Sequence, residues 1–331
     1  MNVLVTGANG FVGAAVCRLL LQKGHSVTGL VRRTSDLSLL QGLSVQTEYG
    51  SLGDNESLMR AAGGKDIVFH IAAKVSDWGS LDDFRQINVE GTRKLLDAAA
   101  GAGVQKFVYV SSVAVHSFTG AVQMNEESPQ LPTSYPYCQS KREAEALVLD
   151  YHNSRKISAV IIRPGDVYGP GDRTSLLKMK NMLVKGLMGL ICRGRKLGAF
   201  TYVENLAHGI VLAGMSDKSA GRAYIITDGV QMTWREYFNR LTKEIGVPRP
   251  RFSLPGFLAW PAAYLFESVY RLFNIKTRPP LTKYLVDHLT HDFCFSTDRA
   301  RDELEYMPVV QTEEAIRRTA RWFIDVAMQD H

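Results

Sequence analysis

Cysteine is scarce in this chain, and no two cysteines lie close together. Cys17, Cys138, Cys192 and Cys294 are widely separated and form no CxxC pair, so neither a zinc cluster nor a disulfide framework is expected, and a reducing compartment is. His288, His291 and Asp292 have a spacing a metal can use, but no further ligand accompanies them, so no metal is expected. No apolar run is long enough to span a bilayer, and no charged leader precedes a cleavable apolar segment, which makes the cytoplasm the expected location. Long blocks of one charge are missing too. The net charge of +6 is spread over scattered basic residues, with short clusters at Arg193, Arg195 and Lys196 and at Arg317 and Arg318. That pattern suits an anionic ligand or a membrane surface and argues against nucleic acid. Internal repeats and low-complexity linkers are also lacking.

What is present starts at once. Asn2–Thr6 reads as a short apolar strand, Gly7, Gly10 and Gly13 follow at three-residue intervals, and Ala14–Lys23 reads as a helix. A strand turning through glycines into a helix N-terminus seats a dinucleotide pyrophosphate, because backbone must approach phosphate and helix must pack closely on strand. Strands are expected at Ser26–Val31, Leu43–Glu48, Asp66–His70, Lys106–Ser111 and Ile157–Arg163. Helices are expected between them at Glu56–Ala62, Phe84–Ala102 and Tyr137–Asn153. Apolar strands alternating with such helices predict an α/β fold, a doubly wound parallel sheet of the Rossmann type. This core covers residues 1–165. Residues 166–331 are expected to form a smaller C-terminal substrate-binding lobe, with a strand near 223–227 returning to the sheet.

In the second half, Pro164–Asp172 reads as loop, Ser175–Leu190 as a helix, and Thr233–Ile245 as a helix with Glu236 completing a capping box. Thr312–Val326 repeats that cap and is amphipathic. Phe252–Ile275 is apolar and aromatic but holds Pro255 and Pro261, which are expected to break it. It reads either as a buried lobe helix or as a lipid-facing or substrate-gating one, so a peripheral membrane contact through 252–275 is one expectation.

Tyr137 and Lys141 stand four apart at the start of a helix and so share a face. An ammonium beside a phenol stabilises phenolate, lowers its pKa and makes Tyr137 a usable acid or base. Ser112, or less directly Ser111, ends the fifth strand, where its hydroxyl can bond a substrate oxygen. Val31 stands where an acidic residue would bond an adenosine ribose, and Arg32 and Arg33 follow it. A guanidinium suits a phosphate, so NADP(H) is favoured over NAD(H). His70 is expected to pack at the cofactor edge. Cys138 points to a different helix face from Tyr137 and is not expected to act as a nucleophile.

With these residues in place, the chain resembles the extended short-chain dehydrogenase/reductase family over nearly its whole length. TGANGFVG, HIAAK, NVEGT, YVSS, PYCQSK and RPGDVYGPGD match the family's motifs in order. The resemblance implies that Tyr137 is the acid/base, Lys141 its partner and ribose ligand, and Ser112 the donor to substrate oxygen. It also implies cofactor contacts from Gly7, Asn9, Gly10, Phe11, Val12 and Gly13, then from Leu52, Ala72, Ala73, Lys74 and Asn88, and from Pro164 and Val167. Ser51 departs from the aspartate usual ahead of Leu52, which loosens the adenine pocket. FTYVENLAHG is similar to 3β-hydroxysteroid and sterol-4α-carboxylate 3-dehydrogenases. AAKVSDWG is similar instead to reductases of long-chain 2-alkyl-3-ketoalkanoic acids, and VRRTSDLSLLQGL to dihydroflavonol-reductase-like proteins. A large apolar substrate, sterol or long-chain keto compound, is therefore expected, with oxidation or reduction of a 3-oxygen and a homodimeric assembly. A nucleotide-sugar epimerase or dehydratase and a non-catalytic nucleotide sensor are the other readings.

Overall fold

The computed structural model describes residues 1–118 and 120–327. Strands that are apolar on both sides must be covered on both faces, and here six such strands and one more exposed edge strand lie side by side, all parallel. They are β1 (Asn2–Thr6), β2 (Ser26–Val31), β3 (Gln46–Tyr49), β4 (Ile67–His70), β5 (Lys106–Val110), β6 (Ser158–Pro164) and β7 (Ala223–Ile226). Their order across the sheet is 7-6-5-4-1-2-3. The direction of winding reverses between β1 and β4, and a ligand crevice opens at the carboxyl ends of strands at such a point.

Side chains alternate along the strands, and the two faces build two cores. Val3, Val5, Phe69, Val108 and Ile162 face α1 (Phe11–Gln22) and a helix from the second half. Leu4, Val68, Phe107, Tyr109 and Ile161 face α2 (Asn55–Ala62), α4 (Gly91–Gly101) and α5 (Pro136–Asn153). Between α2 and α4 lies α3 (Leu81–Phe84), capped by Ser80. The second half adds α6 (Lys180–Val184), α7 (Val203–Met215), α8 (Trp234–Ile245), α9 (Gly256–Leu272), α10 (Lys283–Thr290), α11 (Asp298–Leu304) and α12 (Thr312–Ala327). Leu206, Ile210 and Val211 of α7 enter the core on the α1 side. Residues beyond 165 thus supply both a strand and a covering helix to the nucleotide layer.

Several elements differ from expectation for definable reasons. β3 starts at Gln46 rather than Leu43, because it is an edge strand with exposed side chains, while Leu43 and Val45 pack on the core from the approaching loop. The stretch expected as loop, Pro164–Asp172, contains a strand, Asp166–Tyr168, paired in parallel with Phe200–Tyr202. The helix expected over Ser175–Leu190 is only α6, preceded by one tight turn at Leu177–Met179. Gly186, at φ +64, ends it, and Gly189–Ile191 goes on to pair with Phe252–Leu254. The helix expected from Phe84 begins three residues earlier, and Arg85–Glu90 within it is π-helical. Pro261 sits inside an unbroken α9, near its N-terminal end.

Candidate active site

The turn from β1 to α1 is fixed by close backbone contact. A Cβ on Gly13 would lie 2.0 Å from the Gly7 carbonyl oxygen, and one on Gly7, at φ +67, would lie 3.0 Å from the Ala72 backbone. Only glycines let this helix start so near both β1 and the segment after β4. Gly10 caps α1 without any side-chain hydrogen bond, which leaves the first-turn N–H groups of Phe11 and Val12 free to meet an anion. The cradle therefore fits a dinucleotide pyrophosphate. Asn9 donates to the Asp36 carbonyl at 3.2 Å, and Arg173 pairs with the Asp36 carboxylate, so this loop pins the rim of the turn. Arg32 and Arg33 are exposed beyond β2, with the Arg33 guanidinium 5.2 Å over the Tyr49 ring.

The segment after β4 is organised from beneath. Ala72 N–H donates to Thr6 Oγ1 at 3.2 Å, and the buried His70 lies between Thr6 Oγ1 at 2.8 Å and Thr92 Oγ1 at 2.9 Å. Burial, with Lys141 nearby, draws His70 down to about 3, so it is a neutral brace at neutral pH. Asn88, on the π-helical turn, accepts from Lys74 N–H at 2.7 Å and donates to Lys74 O at 3.1 Å and Ser140 Oγ at 3.0 Å. Its amide ties the Ala72–Ala73–Lys74 loop to α5. The Lys74 ammonium rests 5.0 Å over the Phe84 ring and 3.3 Å from Asp83. Leu52 packs against Gly91, where a Cβ would come within 2.8 Å of it. Pro164 ends β6 opposite Ile226, and Val167 pairs with Thr201.

Helix α5 carries the candidate chemistry. Pro136 opens it at a position that needs no N–H. Tyr137, Ser140, Lys141 and Glu145 then follow at three- and four-residue steps, all buried. Glu145 meets Arg163 of β6 through two hydrogen bonds of 3.0 and 2.7 Å, and both side chains are nearly inaccessible. The Lys141 ammonium donates to the Val110 carbonyl at 2.8 Å and lies 5.0 Å over the Tyr109 ring. Burial pulls Lys141 down to about 7, opposed by Glu145. Burial pushes the Tyr137 phenol up, opposed by a hydrogen bond with Ser112. The sequence pointed to phenol and ammonium acting on each other. In the structure the phenol is engaged by Ser112 and the ammonium by the end of β5. Cys138 is buried and pushed up to about 12, an inert thiol.

Ser112 also accepts from Ala114 N–H at 3.1 Å and forms one wall of a small cavity. Val113, Phe118, Tyr284, His288 and Phe293 are among its other walls. His288 was read from sequence only as an unlikely metal ligand. Its Nε2 lies 2.9 Å from Asp166 Oδ1, and its buried Nδ1 has no partner. Burial pulls His288 down, but Asp166 more than offsets this, with Asp77 adding, and the net shift is upward. No sequence pattern links residues so distant along the chain. Asp292 is occupied by Lys196 at 2.9 Å, and among the described residues no cluster of three or more metal-ligating side chains occurs.

A glycine cradle at the switch point of a parallel sheet, with Ser112 just after β5 and Tyr137 and Lys141 at the start of α5, is the arrangement of a dinucleotide-binding fold. The chain belongs to the NAD dependent epimerase/dehydratase family, whose profile matches residues 3–227. It is 32% identical over 326 residues to a 2-alkyl-3-oxoalkanoate reductase of Stenotrophomonas maltophilia, covering 96% of this chain and 98% of that one. It is 30% identical to the Arabidopsis thaliana 3beta-hydroxysteroid-dehydrogenase/decarboxylase isoform 1, covering 99% and 80% respectively. The crystal structure of gox2253 superposes with a TM-score of 0.81 at 32% identity, over 98% of both chains. The protein is a nicotinamide-dinucleotide-dependent dehydrogenase or reductase of the extended short-chain type.

Proposed function

We propose that the enzyme interconverts a 3β-hydroxyl and a 3-keto group on a sterol or steroid-like apolar substrate, with NADP(H) preferred. Tyr137 moves the proton at the substrate oxygen, Ser112 bonds that oxygen, and Lys141, held by the Val110 carbonyl, meets the cofactor ribose. When bound, the nicotinamide gives or takes the hydride. The turn at Gly7–Gly13 holds the pyrophosphate, and Arg32 and Arg33 meet the adenosine phosphate of NADP. The observation that carries the substrate reading is the likeness to a 3beta-hydroxysteroid-dehydrogenase/decarboxylase, and the small cavity at Ser112, with room for one end of a ligand only, agrees with an apolar one. Val113, Phe118, Tyr284 and Phe293 line that cavity, and its described lining includes no lysine or arginine to hold a sugar-linked diphosphate.

A second reading, reduction of a long-chain 2-alkyl-3-oxoalkanoate, is favoured by His288. His288 lines the same cavity as Ser112 and its Nδ1 has no partner, so a substrate carboxylate near the ketone would have a donor there. The test is a turnover screen of 3-hydroxysterols, 3-ketosterols, long-chain β-ketoacids and nucleotide sugars with NADPH and NADH. Sterol turnover with an NADPH preference supports the first reading. Turnover of β-ketoacids alone, reduced by His288→Gln, selects the second, and turnover of nucleotide sugars alone defeats both.

A further inference from the structure

A helix on a protein surface normally turns its polar side outward. α9 does the reverse. Ala259, Ala263 and Glu267 are its buried residues, and they form one stripe at four-residue spacing. At about 100° per residue, Phe257, Pro261, Tyr264, Leu265 and Leu272 fall on the opposite side. Of these, Phe257 is 75% exposed, Tyr264 62%, Leu265 63% and Leu272 79%. Glu267, Ser268 and Arg271 are the charged or hydroxyl-bearing aliphatic residues of the helix, and Glu267 is turned inward. Eleven of the twenty-three exposed large hydrophobic residues described lie between 252 and 275, so they form a patch rather than a scatter. Phe252 and Leu187, at the strand pair Gly189–Ile191 and Phe252–Leu254, extend it.

Along the sequence that carries this patch, basic residues outnumber acidic ones, and the acidic Asp77 and Asp287 that reach it from elsewhere are already engaged by Arg278 and Trp260. From Val247 to Lys283 the chain carries Arg249, Arg251, Arg271, Lys276, Arg278 and Lys283 against a single acidic residue, Glu267. Glu267 is buried and receives Arg271 and Lys283, each at 3.5 Å, while Arg278 is held by Asp77. Arg249, Arg251 and Lys276, which flank the patch in sequence, are exposed. An apolar, aromatic face flanked by cations complements the interfacial zone of an anionic bilayer, where acyl chains meet the former and headgroups the latter.

We infer that α9 with its flanking segments seats the protein on an anionic lipid surface. α9 packs on α10, where Trp260 Nε1 donates to Asp287 Oδ1 at 3.0 Å and Lys283 N–H donates to Glu267 at 2.8 Å. Tyr284 and His288 of the same α10 line the cavity at Ser112. One helix therefore separates the lipid-facing patch from the cavity wall. The docking surface itself does not depend on which apolar substrate is used.

The test is co-sedimentation of the full chain, without substrate, with phosphatidylcholine vesicles and with equimolar phosphatidylcholine–phosphatidylglycerol vesicles. Binding to the anionic vesicles at least tenfold tighter than to the neutral ones is expected, and it should weaken as salt rises. Phe257→Ser/Leu265→Ser/Leu272→Ser should lose binding to both, while Arg249→Ser/Arg251→Ser/Lys276→Ser should lose only the anionic preference. Both variants should keep the native far-ultraviolet spectrum and cofactor affinity. The inference is overturned if anionic vesicles do not bind, or if the triple serine variant binds like the native chain. It is equally overturned if that variant instead splits a native dimer that ignores vesicles.

Discussion

α5 and α9 are of nearly equal length, 18 and 17 residues, yet they distribute polarity in opposite ways. α5 turns Tyr137, Ser140, Lys141 and Glu145 into the protein, where each finds a partner in Ser112, Asn88, the Val110 carbonyl or Arg163. α9 turns aromatic and aliphatic side chains away from it. Burial of polar groups is tolerated where hydrogen bonds replace water, whereas exposed apolar surface has no such internal compensation. The first helix is built to act on what enters the fold, the second on what lies outside it.

The sharpest way to break this comparison is at Tyr137. Tyr137→Phe keeps the ring and removes the hydroxyl, and kcat/KM should fall by about 10²–10⁴-fold while cofactor affinity, read by fluorescence titration, stays near native. Native-like turnover would remove Tyr137 from the chemistry. Next comes the buried ion pair. Arg163→Met removes the guanidinium from the buried Glu145, which keeps only the Gln130 amide at 3.0 Å, and should cost about 3–5 kcal/mol in urea unfolding, whereas Arg163→Met/Glu145→Leu should recover most of it. An equal loss in both would mean the pair is not what matters.

A smaller effect tests the price of holding an ammonium inside. Lys141 sits at about 7 in the fold, against its ordinary value of 10.5. Between these values the unfolded chain binds the extra proton, so this residue makes stability rise with pH. The clearest window is pH 7–9, with a slope of up to about 1.4 kcal/mol per pH unit. Lys141→Met should flatten that slope, measured by denaturant titration at several pH values. The smallest effect is expected on α9, where Leu265→Ser should change stability by less than about 0.5 kcal/mol. A larger loss would mean that Leu265 is covered within the protein.

The nucleotide half was legible because its signals are local. Gly7, Gly10 and Gly13 sit within one turn, Tyr137 and Lys141 within one helical step, and buried parallel strands announce themselves as apolar runs. β3 was misplaced because an edge strand carries no such run, and the apolar Leu43 and Val45 belong to its approach. The cavity wall was not legible. His288 meets Asp166 only after α9 and α10 fold back against the end of β6, and nothing in either neighbourhood foretells the pairing. For α9 the composition was plain, but the face it would bury was not, since the helix is apolar nearly all round.

The π-helical turn at Arg85–Glu90 has a consequence for how this chain tolerates changes in length. It holds one residue more than an α-helical turn would, and that surplus lets Asn88 face inward. Loss of a single codon at the exposed Ile87 would let the helix close regularly, keeping the flanking turns in register but moving Asn88 off its inward direction. Asn88 would then lose the Lys74 loop or Ser140, although no residue of the active site had been altered. Among relatives, length in this stretch should therefore vary less than side-chain identity at its surface.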